Sequence, residues 1–121
     1  MTLTSKALLA AIRESSTSLE GLLEKFGRKN RARLLKLLDA AISRGELELM
    51  NGVFTHVANL GGEGQLCVIV QTRVIDDLEL RAGRVVRRVA EQGNEAVVEV
   101  PTGVMRGARR RLHPSGLRKY E

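Results

Sequence analysis

Apolar positions recur at helical spacing through the first third of the chain and at strand spacing through the second half. Leu8, Leu9, Ala11 and Ile12 form one such stripe, with Lys6, Arg13 and Glu14 at its polar ends, and predict a first helix over residues 3–14. The hydroxyl cluster at 15–18 breaks it. Thr17 followed by Glu20 has the pattern of a capping box, so a second helix is expected to start there and to turn Leu19, Leu22, Leu23 and Phe26 inward, with Gly27 as its C-terminal cap. A third helix is expected over residues 29–44. At about 100° per residue it places Leu34, Leu38, Ala41 and Ile42 on one side and Lys29, Arg33, Lys36 and Ala40 on the other.

Gly45 closes that helix, and the runs 46–50 and 53–57 flank Asn51-Gly52, a strong two-residue hairpin signal. Such a turn sets Leu49 opposite Phe54, a pair expected to pack on the helices while the hairpin tip stays free for a ligand. Residues 59–65, with three glycines, read as a flexible linker between a first domain of 1–58 and a second of 66–121. Beyond the linker, valine-rich strands are predicted over 66–75, 78–89 and 96–100, with turns at Asp76-Asp77, Gln92-Gly93-Asn94 and Pro101-Thr102-Gly103. A basic strand over 104–112 would close a four- or five-stranded barrel, and 113–116 would turn the chain into its tail.

Charge changes this picture from architecture to partner. The 121 residues carry 20 Lys and Arg against 14 Asp and Glu, a formal net charge of +6 that favours a polyanionic ligand, most commonly nucleic acid. Six basic residues stand between Lys25 and Lys36 with no acid among them: Lys25, Arg28, Lys29, Arg31, Arg33 and Lys36. Most lie at the start of the third helix, where the macrodipole disfavours cations, so helix stability does not account for them and a phosphate backbone would. Arg106, Arg109, Arg110 and Arg111, with Arg118 and Lys119, form a second cluster in which only Glu121 offers an opposing side chain. Arginine dominates there, which favours bidentate pairing with phosphate or with a partner's carboxylates; the competing reading is a mobile cationic tail. Arg84, Arg87 and Arg88 would alternate across a strand, the middle one facing away from the other two.

Residues 3–57 resemble a winged helix-turn-helix. The resemblance rests on Thr17-Ser18-Leu19-Glu20, the amphipathic stretch 34–44, and Gly45-Glu46-Leu47 leading into the Asn51-Gly52 wing. It implies that the third helix is the recognition element, its N-terminal residues nearest the bases. The second half is similar to an SH3-like barrel of the KOW type through Gly83-Arg84-Val85-Val86-Arg87-Arg88-Val89 and Asn94-Glu95-Ala96-Val97-Val98-Glu99-Val100. An OB-like barrel fits the strand count nearly as well. The expected class is therefore α+β: a winged helix of three helices plus a β-wing, followed by a small barrel.

The candidate nucleic-acid contacts are Arg28, Lys29, Arg31, Arg33, Lys36, Asn51, Arg106, Arg109, Arg110 and Arg111. Phe26 and Phe54 are assigned to the first core, leaving only Tyr120 to stack on a base, so duplex is favoured over single strands. The leading expectation is a duplex-DNA-binding transcriptional regulator of bacterial or phage type. The alternatives are an accessory protein of RNA or RNA polymerase, its barrel docking on a protein partner, and a protein-interaction or inhibitor module; a homodimer stays open. No catalytic residues, cofactor or metal are expected, because His56, His113 and Cys67 stand at no ligand spacing and Asp76-Asp77 reads as a turn. Cys67, in an apolar run, is expected to be a core thiol. No apolar stretch reaches the roughly 20 residues of a membrane span, and no secretory signal is read at the N-terminus, so a cytoplasmic location is expected.

Overall fold

In the computed structural model, which describes residues 2–121, the chain is mixed α+β, and it divides between Leu60 and Gly61 into two compact units. Met1, the first residue of the expected N-terminal domain, lies outside the described residues.

The first unit runs α1 (Ser5–Glu14), β1 (Thr17–Ser18), α2 (Leu19–Phe26), a 3-10 turn (Arg28–Asn30), α3 (Arg31–Ser43), β2 (Leu47–Met50) and β3 (Val53–His56). Thr4 caps α1, its hydroxyl accepting from the Ala7 N–H at 3.0 Å. The expected cap at Thr17 is corrected: Ser18 caps α2 through the Gly21 N–H, because Thr17 is drawn into an antiparallel pair with Phe54. The sheet order is β1-β3-β2. Asn51 and Gly52 both take positive φ, as the two-residue turn requires, and Leu49 does stand opposite Phe54. Only half of that pair packs, however. Phe54 is buried while Leu49, next to the tip, is 50% exposed. The core gathers Leu8, Ile12, Leu22, Leu23, Phe26, Leu34, Leu38 and Leu47.

His56 ends β3 fully buried, its Nδ1 accepting the Ala58 N–H at 3.0 Å. Burial, and then the nearby Arg13 charge, push its pKa below 6.5. The folded state thus holds a neutral imidazole where the unfolded chain takes up a proton near pH 6.5, so stability is fully present above that pH and is lost as pH falls through the depressed folded value. Thermal unfolding followed at 222 nm, where the helices of this unit dominate, should show the midpoint dropping between pH 7 and 5. His56→Asn, whose amide oxygen can accept the same N–H, should flatten that dependence; equal pH sensitivity in both proteins would exclude His56 as its source.

The second unit comprises β4 (Gln65–Ile69), β5 (Arg73–Ile75), β6 (Leu78–Leu80), β7 (Val85–Gln92), β8 (Glu95–Glu99), β9 (Arg109–Leu112), a 3-10 turn (Pro114–Gly116) and β10 (Leu117–Lys119). Five strands form one antiparallel sheet in the order β10-β4-β7-β8-β9, while β5 and β6 pair with each other. Cys67, Ile69, Leu80, Val86, Val98 and Leu112 fill the core. The Cys67 thiol is buried, which pushes its pKa up.

Several expected strands are shorter than their apolar runs. The run 66–75 stops at Ile69, whose carbonyl accepts from the Gly83 N–H at 2.8 Å, and resumes only as β5. The stretch 78–89 is likewise divided by the 81–84 turn, where the Arg84 N–H donates to the Arg81 carbonyl at 3.0 Å. The strand expected over 104–112 begins only at Arg109, because residues 103–108 are spent on two consecutive turns. The presumed tail is strand β10, whose Leu117, Arg118 and Lys119 pair with Ile69, Val68 and Cys67. At the ends of the expected linker, Asn59 donates to the Arg13 carbonyl at 2.7 Å within the first unit, while Gln65 pairs with Arg88 and Gly64 lies against the backbone of Arg88 and Val89 within the second.

Candidate nucleic-acid interface

In the first unit the basic row is built by the α2–α3 junction. Gly27 ends α2 with its N–H on the Leu23 carbonyl at 2.8 Å, and the Asn30 side-chain amide donates back to the Phe26 carbonyl at 2.7 Å. That bond holds the chain in a 3-10 turn, so Lys29 lies outside α3 and the helix starts two residues later than expected. Asn30 is thereby spent, and no side chain caps α3; its first turn carries Arg31 and Arg33 with no acid. An anion beside this end would satisfy both the dipole and the cations.

Leu34, Leu38 and Ala41 turn the inner face of α3 to the core, leaving Arg31, Arg33 and Lys36 exposed, with Lys36 near the centre of the outer face. Lys29, Arg33 and Lys36 make no ion pair among the described residues. Arg28 does. Its Nη2 lies 2.8 Å from Glu20 Oε2 and holds that carboxyl below its ordinary range, with a smaller contribution from the Arg31 charge. A run without acids along the chain is therefore partly neutralised in space. Asp39 also shares the outer face. Asn51 sits exposed at the hairpin tip, but the hairpin strands offer no cation; Glu48 is their only charged side chain. Leu35, Leu49, Met50 and Val53 are exposed apolar residues that the periodicity had assigned to no surface role.

In the second unit the arginines do different jobs. Alternation along β9 turns Arg109 and Arg111 outward and Arg110 inward beside Leu112. Arg110 Nε donates to the Ile75 carbonyl at 2.9 Å and Nη2 to that of Asp76 at 3.3 Å, tying the β5–β6 turn to the sheet; it is structural, not a free contact. Arg109 lies 3.7 Å from Glu99, the residue across the strand, so Glu121 is not the sole opposing carboxylate. Arg111 reaches Gln92 at 3.3 Å, and both outward guanidiniums stay open to water. Arg106 is exposed on the loop before β9, and Arg118 and Lys119 are exposed on β10. Arg87 is buried along Gly62, with Nη1 3.4 Å from the Gly64 carbonyl. Arg88 pairs with Glu91. Half-buried Arg84 donates to the Thr102 carbonyl at 3.1 Å, its Nε unpartnered and its charge disfavoured by burial.

A cleft beside Ser15, Ser16, Thr17 and Lys25 has neither histidine nor carboxylate among its lining side chains. Among the described residues no three His, Cys, Asp or Glu side chains come together as a metal-binding group, and no helix is long and apolar enough to cross a membrane. No protein-family model, curated protein or solved structure matches the chain.

Proposed function

We propose that this is a non-enzymatic, cytoplasmic protein that binds duplex DNA as a transcriptional regulator, with α3 in the major groove and the second unit's outward arginines on flanking phosphates. The observation that carries the reading is the row Lys29, Arg33 and Lys36, exposed and without an ion pair among the described residues, running from the uncapped start of α3 along its outer face. The order β1-β3-β2, with a short strand between the first two helices pairing with the hairpin's return strand, supports the winged-helix assignment. The order β10-β4-β7-β8-β9, first strand beside last with a 3-10 turn before the last, supports an SH3-like barrel over an OB-like one. Phe26 and Phe54 are buried and Tyr120 is only part-exposed, so no stacking platform for single strands is on offer. The wing contributes Asn51 at most.

Neutralising about six to eight phosphates gives a slope of log affinity against log salt of roughly −5 to −7. Titration of random-sequence duplex and of structured RNA at low and near-physiological salt should show duplex preferred, with that slope; a flat response would remove the phosphate-contact model. Preference for RNA would move the chain to the RNA- or polymerase-associated class. A second reading has its own observation: the exposed apolar side chains Leu49, Met50 and Val53 on the hairpin, with Leu35 on α3, favour a protein partner for the first unit, and binding of neither nucleic acid would promote it.

A further inference from the structure

We infer that the loop between β8 and β9 is an apolar wedge that enters the minor groove of duplex DNA and opens a base step. The inference rests on the duplex-binding reading above. Val104 is fully exposed, at 102%, and the adjacent Met105 is 43% exposed. They are the two central residues of a turn closed by the Arg106 N–H on the Gly103 carbonyl at 3.1 Å. A second turn follows, Ala108 N–H to Met105 carbonyl at 2.9 Å. The base is clamped by Val100 N–H to Ala108 carbonyl and Gly107 N–H to Val100 carbonyl, both 2.9 Å. Pro101 and Thr102 are buried beneath, and Arg84 holds the Thr102 carbonyl. An ordered loop of this kind fixes two apolar side chains in water instead of folding them onto the nearby core, which no requirement of the fold explains.

Charge identifies the occupant. From Val100 to Tyr120 there is no acidic residue, while Arg106, Arg109, Arg111, Arg118 and Lys119 are basic; Arg110 is held by the Ile75 and Asp76 carbonyls, and Glu99 lies 3.7 Å from Arg109. Arg106 adjoins the tip in sequence, and Arg109 and Arg111 face outward on the strand that the loop enters. Apolar side chains at a narrow tip, followed by arginines, match a minor groove about 6 Å wide lined by phosphates. The hairpin tip at Met50 to Val53 is also apolar but has Glu48 and no cation beside it, so it does not fit the same groove. A lipid surface would gain little from two side chains, and the planar guanidinium forks suit phosphate pairs at fixed spacing.

The test uses the full chain, a duplex carrying 2-aminopurine, and a second duplex with a fluorophore at each end. Wild type should raise 2-aminopurine emission and bring the ends closer, a bend on the order of 20–90°. Val104→Ser with Met105→Ser leaves every backbone bond of the loop in place; it should abolish both signals while affinity falls less than about tenfold, since phosphate contacts dominate binding. Unchanged far-ultraviolet circular dichroism controls for folding. Wild type that binds duplex without unstacking or bending it overturns the wedge and leaves duplex binding standing, as does a double variant that distorts DNA as wild type does. If the duplex is undistorted and binding to phosphatidylserine vesicles is lost in the double variant, the tip is a lipid contact and the wedge is overturned. Absence of duplex binding at every salt concentration removes both readings together.

Discussion

Replacing Arg33 and Lys36 together by glutamate should raise the Kd for duplex DNA on the order of 100-fold at low salt and lower the salt slope by at least about two, while the thermal midpoint of the first unit stays within a few degrees. Each basic residue that leaves a phosphate lowers the slope by about one, and reversal adds repulsion from the same phosphates. Stability should hold because both side chains are exposed on α3 and make no ion pair among the described residues, and Arg33 stands in the first turn, where an acid is better tolerated than a base. Arg28→Glu makes a useful contrast. Arg28 is spent on Glu20 at 2.8 Å, so its reversal should cost less binding while setting two carboxylates against each other beside α2. Filter binding or fluorescence anisotropy at several salt concentrations reads the affinity and the slope, and circular dichroism melting reads the midpoint; unaltered affinity in the double variant would move the site off α3.

The largest effect on stability is expected at Gly64. Its φ is +100°, and a Cβ there would press into the carbonyl oxygen of Arg88 and lie 3.1 Å from the Val89 Cα, both backbone atoms of β7. Those atoms cannot step aside as a flexible side chain can. Gly64→Ala therefore combines backbone strain with overpacking, each worth roughly 1–3 kcal/mol, and should destabilise the second unit by about 3 kcal/mol. For a unit of this size that lowers the midpoint on the order of 15 °C. Gly93→Ala is the matched control: φ is +63° with nothing within 4 Å, so only the conformational cost of roughly 1–2 kcal/mol applies. Tyr120, the chain's only tyrosine, has its N–H on the Leu66 carbonyl at 3.1 Å and reports unfolding of this unit by its fluorescence. Equal effects of the two substitutions would mean that the close approach of Gly64 to β7 does not matter.

Gly64 also shows where reading a chain by composition stops. Three glycines in seven residues look like slack, and all three take positive φ, but the contact that makes Gly64 indispensable is with Arg88, 24 positions away. The same limit explains the other revisions. Thr17 had the right chemistry to cap α2, yet its pairing with Phe54 hands the cap to Ser18. Arg110 looked like its neighbours until the β5–β6 turn gave it two carbonyls to bind. Residues 117–119 had no strand signal of their own and became one because β4 offered an open edge.

What the residues determined by themselves was local. The periods of the apolar stripes defined three helices and a strand-rich second half; Asn51-Gly52 and Asp76-Asp77 defined two tight turns, since positive φ at consecutive positions is tolerated by few side chains. The two-residue turn in turn dictated that Leu49 faces Phe54, and the charge run foretold a cationic α3. Only the tertiary structure decided which cations are already paired, which face inward, where Gly64 must remain glycine, and that Val104 and Met105 stand in water. Those outcomes depend on partners distant along the chain, and hydrogen-bond partners and burial are set by what the fold brings alongside a residue, not by the residue's immediate neighbours.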